Sequence, residues 1–120
     1  MTLVCYSRCG TCRKARVWLA ERGAAFDARD IKENTPTEAE LRRWAALAGL
    51  SARKLFNTSG LAYRAAGLKD AVGDMTDDEM FAVLSGDGML VRRPILIGDS
   101  FALFGFKEDK WAETLGGRGL

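Results

Sequence analysis

Apolar and polar positions along the chain change period several times, and each change marks an element. Leu3, Val4, Cys5 and Tyr6 form a short apolar run that reads as a buried strand. The loop Ser7 to Gly10 leads into a helix from about Thr11 to Arg22, with Gly23 placed to close it and Val17, Trp18 and Leu19 as its apolar surface. "AFDARDI", residues 25–31, alternates apolar and polar as a half-buried strand does. Strand, helix, strand at this spacing predicts a βαβ unit with a parallel pair and a right-handed crossover.

A helical block follows. In "NTPTEAELRRWAALAGL", Thr35 is expected as N-cap, Pro36 at the first helical position and Glu38 as the capping-box partner. Leu41, Trp44, Ala45 and Ala48 mark the buried face, and Gly49 ends the helix. "SARKLFNTSGLAYRAAGL" predicts two short helical turns broken around residues 57–60. "TDDEMFAVLSGDG" repeats the capping box with Thr76 and Glu79, and Met80, Phe81, Val83 and Leu84 line its inner side. After Arg92-Arg93-Pro94 the period becomes that of strands: Ile95 to Ile97, a hairpin turn, then Phe101 to Phe104. "KEDKWAETL" is a final short helix, with fraying expected from Gly116 onward.

Composition narrows the class. The 120 residues suffice for one core, and 48% hydrophobic with 28% charged residues is ordinary for a globular domain. With 18 basic and 16 acidic residues the net charge is +2, which argues against direct nucleic-acid binding. "MTLVCYS" has no apolar signal region and no run is long enough for a membrane span, so the expectation is a cytoplasmic protein with no membrane partner. Histidine is absent, which removes Cys-His nucleophiles, Ser-His-Asp triads and His-containing metal sites.

All the cysteines fall within residues 5–12 of "CYSRCGTCRKARVWL". They could be a redox pair, half of a metal site, or packing material. A metal needs further ligands, and only Cys5 is available, so no metal and no organic cofactor is expected. Cys5 lies mid-strand among apolar residues and reads as a small hydrophobe. Cys9-Gly10-Thr11-Cys12 begins where the first strand meets the first helix. There the free backbone N–H groups, including those of Gly10 and Thr11, and the helix dipole favour a thiolate. Arg8, Arg13, Lys14 and Arg16 are expected to add positive charge. Cys9 is thus the expected nucleophile and Cys12, one turn on and more enclosed, the resolving thiol.

The element order together with Cys9 and Pro94 predicts an α/β thioredoxin-like fold: a mixed four-stranded sheet, core about 1–32 and 88–116, with an all-helical insertion at about 35–86. In such sheets a proline at the start of the third strand approaches the active cysteine, often through a cis peptide. That places Arg93 as a bidentate donor to an anion bound over Cys9, and leaves Arg92 unassigned.

"CYSRCGTCRKARVWL", "KLFNTSGLAY", "GMLVRRPILIGD" and "FGFKEDKW" resemble, in order and spacing, the ArsC/Spx family over nearly the whole chain. That family contains glutaredoxin-coupled arsenate reductases and the redox-sensing transcription regulator Spx. The resemblance implies Cys9 as the reactive cysteine and Arg93 as an oxyanion-binding residue. It also implies a small oxyanion or disulfide substrate reduced at the expense of glutathione, glutaredoxin or thioredoxin. On the Spx side it implies a Cys9–Cys12 disulfide switch and RNA polymerase as partner. Two positions depart from the reductases: Asn57 stands where alignment on Tyr63 expects one arginine, and Gly105 or its neighbours where another belongs. An arsenate-like transition state would lose two charge-assisted contacts, each worth roughly 1.5–3 kcal/mol. Spx's acidic loop reads here as "AGLSARK".

Overall fold

The computed structural model describes residues 1–117. Four strands, β1 (Thr2–Cys5), β2 (Asp27–Asp30), β3 (Ile95–Ile97) and β4 (Ala102–Phe104), form one sheet in the order β2-β1-β3-β4. β1 pairs parallel with β2 and antiparallel with β3, and β3 pairs antiparallel with β4. α1 (Gly10–Glu21) is the crossover between β1 and β2, and α6 (Glu108–Gly116) follows β4. Between β2 and β3 lie α2 (Glu38–Ala48), α3 (Leu61–Ala65), α4 (Leu68–Ala71) and α5 (Asp77–Gly86), joined by 3₁₀ turns at Ala52–Leu55, Val72–Asp74 and Gly88–Leu90. This is the mixed sheet of a thioredoxin-like fold. Against the fraying expected from Gly116 onward, Gly116 is the last helical residue of α6 and Gly117 its C-cap; residues 118–120 lie outside those described.

The sheet separates two apolar layers, as alternation along its strands requires. Leu3 and Cys5 of β1 and Leu96 of β3 face α1 and α6, where Cys12, Ala15, Leu19, Trp111 and Leu115 are buried. Val4, Ile95, Ala102 and Phe104 face the helical block and meet Leu41, Trp44, Leu55 and Leu84. Burying each such side chain contributes about 1.5–3 kcal/mol. Trp18, Phe106 and Trp111 stack edge-to-face at centroid distances of 5.9, 6.0 and 4.8 Å and fasten α1 to α6.

Several local expectations need correction. The N-cap of α2 is Thr37, not Thr35, and its box partner is Glu40, not Glu38. Glu40 also takes two guanidinium hydrogen bonds from Arg29 of β2, at 2.7 and 2.9 Å. That tie selects the later of two overlapping Thr-x-x-Glu registers, while Thr35 remains in the turn with its hydroxyl on the Lys32 carbonyl. The box at Thr76 and Glu79 forms as expected. Val17 is 51% exposed, since it lies on the outer side of α1 while Trp18 and Leu19 turn inward. Ala48 and Val83 are only half-buried at the margins of their helices' inner faces. β2 is shorter than expected, and Asp27, Arg29 and Asp30 make it a charged strand at the edge of the sheet.

Candidate active site

The end of β1 and the start of α1 set the cysteines. Cys9 is the N-cap of α1, in extended conformation, and its Sγ accepts the N–H of Cys12 at 3.4 Å. Its own N–H donates to the Tyr6 carbonyl at 3.0 Å, which ties the cap to the strand it leaves. Cys12 is wholly buried in the α1–α6 layer, and its Sγ accepts the Tyr6 N–H at 3.3 Å. All three cysteines are free thiols. Cys5 is buried as a small hydrophobe, with the Arg16 guanidinium 3.5 Å from its sulfur.

Geometry drives the two thiols of the motif apart. Burial works against ionising Cys9, but the Cys12 N–H, the Cys12 thiol, the Arg93 charge and the Thr11 N–H outweigh it and hold the Cys9 pKa below its ordinary value. Burial pushes Cys12 up to about 12; the Tyr6 N–H opposes this, and Cys9 and Cys5 reinforce it. The anion is favoured on one sulfur relative to an ordinary thiol, and its neighbour is kept protonated.

The cation at work is Arg93, not the run of basic residues expected from the sequence. Arg8 is exposed in the turn before α1, helix geometry carries Arg13 and Lys14 around α1 to solvent, and Arg16 turns to Cys5. Arg93 precedes Pro94 through a cis peptide at the entry to β3. Its Nη1 donates to the Met89 and Val91 carbonyls at 3.2 and 3.4 Å, and its guanidinium lies 5.6 Å from the Tyr6 ring centroid. Its Nε is buried with no hydrogen-bond partner, a donor that an incoming anion could take. Beside this group opens a cleft of about 400 Å³ lined by Tyr6, Gly60, Leu61, Ala62, Met89 and Arg93. Arg93 is the one charged residue of that lining.

The remaining predicted positions are less central. Gly10 and Thr11 are exposed at the helix start, and a Cβ at Gly10 would meet nothing within 4 Å. Pro94 is buried, with its carbonyl accepting the Gly105 N–H at 2.8 Å. Asn57 holds a turn: its N–H donates to the Leu90 carbonyl at 2.8 Å and its carbonyl accepts the Gly60 N–H at 3.1 Å. It is not among the residues lining the cleft. Gly105 has φ +77°, and a Cβ there would lie 2.9 Å from Nη2 of Arg92. A side chain there would be strained by the positive φ and would have to displace the Arg92 guanidinium, which occupies this corner and binds the Lys54 and Phe104 carbonyls at 3.3 and 3.5 Å. Sequence reasoning missed Tyr6, Leu61 and Met89 as cleft residues. Leu61, 81% exposed, is visible only once the insertion is folded over the site.

A thioredoxin-like sheet with a Cys-x-x-Cys at the start of its first helix and a cis-proline at the third strand places this molecule among the thiol-bearing members of that fold. The sequence pattern of the ArsC family matches residues 5–114. The chain is 41% identical to the Bacillus subtilis protein YusI over 95% of this chain and 97% of that one. It is 24% identical to the global transcriptional regulator Spx 2 of Bacillus cereus, over 85% of this chain and 76% of that one. An ArsC family related protein from Bacteroides fragilis superposes with TM-score 0.90 at 38% identity, over 93% and 94% of the two chains. A possible arsenate reductase from Streptococcus mutans UA159 gives 0.82 at 38%, over 92% and 95%. The chain belongs to the ArsC family. Among the described residues no helix is long and apolar enough to cross a membrane.

Proposed function

We propose that this protein is a thiol-disulfide oxidoreductase in which Cys9 attacks and Cys12 resolves. The observation that carries the reading is the Cys9 sulfur at the N-cap of α1, holding the Cys12 N–H with Arg93 facing it, one turn from a thiol kept neutral by burial. The Cys9 thiolate attacks one sulfur of a substrate disulfide; that S–S bond breaks and its other sulfur leaves as a thiolate. Forming the mixed disulfide removes the Cys9 charge, one of the influences that keep Cys12 protonated. Cys12 then loses its proton and attacks Cys9, the second substrate thiol departs, and two electrons have passed from the protein to the substrate. Glutathione, glutaredoxin or thioredoxin would restore the dithiol. The sulfurs carry the chemistry without metal or organic cofactor.

The cleft favours a disulfide over arsenate. A single guanidinium among apolar neighbours suits a substrate with one anionic group and an apolar body. Asn57 and Gly105 supply no charge to a compact oxyanion. In the test, Cys12→Ser accumulates mixed disulfides with substrate, read by mass spectrometry, while Cys9→Ser accumulates none. Failure of Cys12→Ser to trap any adduct removes its assigned role. Arsenate consumption coupled to glutaredoxin is expected to be weak, and rapid turnover would return arsenate as substrate.

The likeness to Spx 2 supports a second reading, a redox-sensing regulator whose Cys9–Cys12 pair changes its affinity for RNA polymerase. Pull-down of polymerase in both redox states separates the two. Redox-dependent capture without disulfide turnover favours the regulator.

A further inference from the structure

Arg92 and Arg93 are neighbours in the chain and serve different sites. Arg93 faces Tyr6, lines the cleft described above and acts on Cys9 through its charge, while Arg92 lines a cavity of about 630 Å³ with Arg53, Lys54, Phe56 and Thr58. Arg53 and Thr58 also line an adjoining cavity of about 400 Å³, completed by Tyr63, Arg64 and Lys69. Together they form a trough with five cationic side chains and no acidic one.

Three features set this trough apart from an ordinary solvated basic face. It is concave. Arg92 is half-buried and fixed by the Lys54 and Phe104 carbonyls, so part of its charge is pre-oriented at low entropic cost. Its walls also hold no carboxylate, and among the described residues none of the five trough cations makes a salt bridge. In a chain of net charge only +2, that is a marked local excess.

The trough and the cleft beside Arg93 share a wall. Thr58 lies on one side and Gly60 on the other, two residues and at most about 7 Å of chain apart. The Arg92–Arg93 step spans one peptide, about 3.8 Å between Cα atoms. We propose that the trough docks an acidic polypeptide segment of the partner whose disulfide Cys9 attacks. The inference rests on the thiol-exchange reading and names its substrate class: protein disulfides flanked by aspartate and glutamate. Nucleic acid fits less well. Phe56 and Tyr63 are buried at 2% and 6% exposure, leaving no stacking platform for bases.

The test uses synthetic peptide disulfides differing only in glutamate, neutral or lysine flanks, with reduction by the intact dithiol protein followed at low and high salt. The expected result is reduction of the glutamate peptide at least about tenfold faster than the neutral one at low ionic strength, with the ratio falling toward one at roughly 1 M salt. Reversal of the exposed cations, Arg53→Glu with Lys54→Glu and Arg64→Glu, is expected to abolish the preference. Arg43→Glu, on the exposed side of α2, is expected to preserve it. Equal rates for all peptides, or a preference that survives the triple reversal, would overturn the docking site while leaving thiol exchange intact. No reduction of any peptide would overturn the thiol-exchange reading itself, and the docking site with it. Retention of a labelled oligonucleotide by the trough cations without any peptide preference would overturn it in favour of nucleic acid.

Discussion

α1 and α2 begin with the same geometry and different chemistry. In α2 the Thr37 hydroxyl accepts the Glu40 N–H at 3.1 Å, and the Glu40 carboxylate returns the favour to the Thr37 N–H at 3.1 Å. In α1 the capping atom is the Cys9 sulfur, the third residue on is Cys12, and the same N–H contact spans 3.4 Å. The Cys-x-x-Cys thus occupies the positions of a capping box. What differs is the return half. Cys12 sends its sulfur inward to the Tyr6 N–H, and the first turn of α1 contains no acid, where α2 has Glu38 and Glu40. A carboxylate there would neutralise the field that favours a thiolate. The device that stabilises one helix helps, on the other, to hold a thiol pKa below its ordinary value.

The largest break in this comparison is Cys9→Ser. It is expected to abolish disulfide reduction while stability holds within about 0.5 kcal/mol, because serine is itself a preferred N-cap. Activity measured with a peptide disulfide and unfolding measured in urea separate the two roles. Glu40→Gln probes the other helix. The Arg29 hydrogen bonds, partly opposed by burial and aided by Thr37, hold the Glu40 pKa down from 4.5 to about 2. A depressed carboxyl pKa stabilises the fold above the unfolded value and loses that contribution as pH falls from 4.5 toward 2. Allowing for a half-open site, the loss is about 1–2 kcal/mol, and the substitution should flatten the acid limb of the stability curve. Thr76→Ala removes one cap from α5 and should cost about 1 kcal/mol in chemical denaturation. The smallest effect sharpens the comparison most. Thr11→Glu writes an acid into the first turn of α1 and should raise the Cys9 pKa, seen as a small shift to higher pH in its alkylation profile. An unchanged profile would show that the helix start does not govern this thiol.

What could be read in advance follows from how local each signal is. The start of α1, the box at Thr76 and the hairpin after Pro94 are decided by neighbours within a few residues, and they form as the pattern indicates. Two Thr-x-x-Glu registers overlap at residues 35–40, and the tie is broken by Arg29, which arrives from another strand. The position of Arg93 at the entry to β3 was legible because the proline marks it. Arg92 was not, since its partner is the carbonyl of Lys54, 38 residues away. The basic side chains beside the cysteines are close in sequence and point outward in space. The acidic complement of the trough belongs to another molecule and leaves no mark on this one.

β2 sits at the margin of the sheet with an unpaired rail of backbone groups, the usual starting point for one copy to stack on another. Its four residues read Asp-Ala-Arg-Asp. Charges at that rim cannot shed their water to admit a further strand without a penalty, and so the sheet stops growing where it does. The same short segment that completes the domain guards it against fibrous self-association.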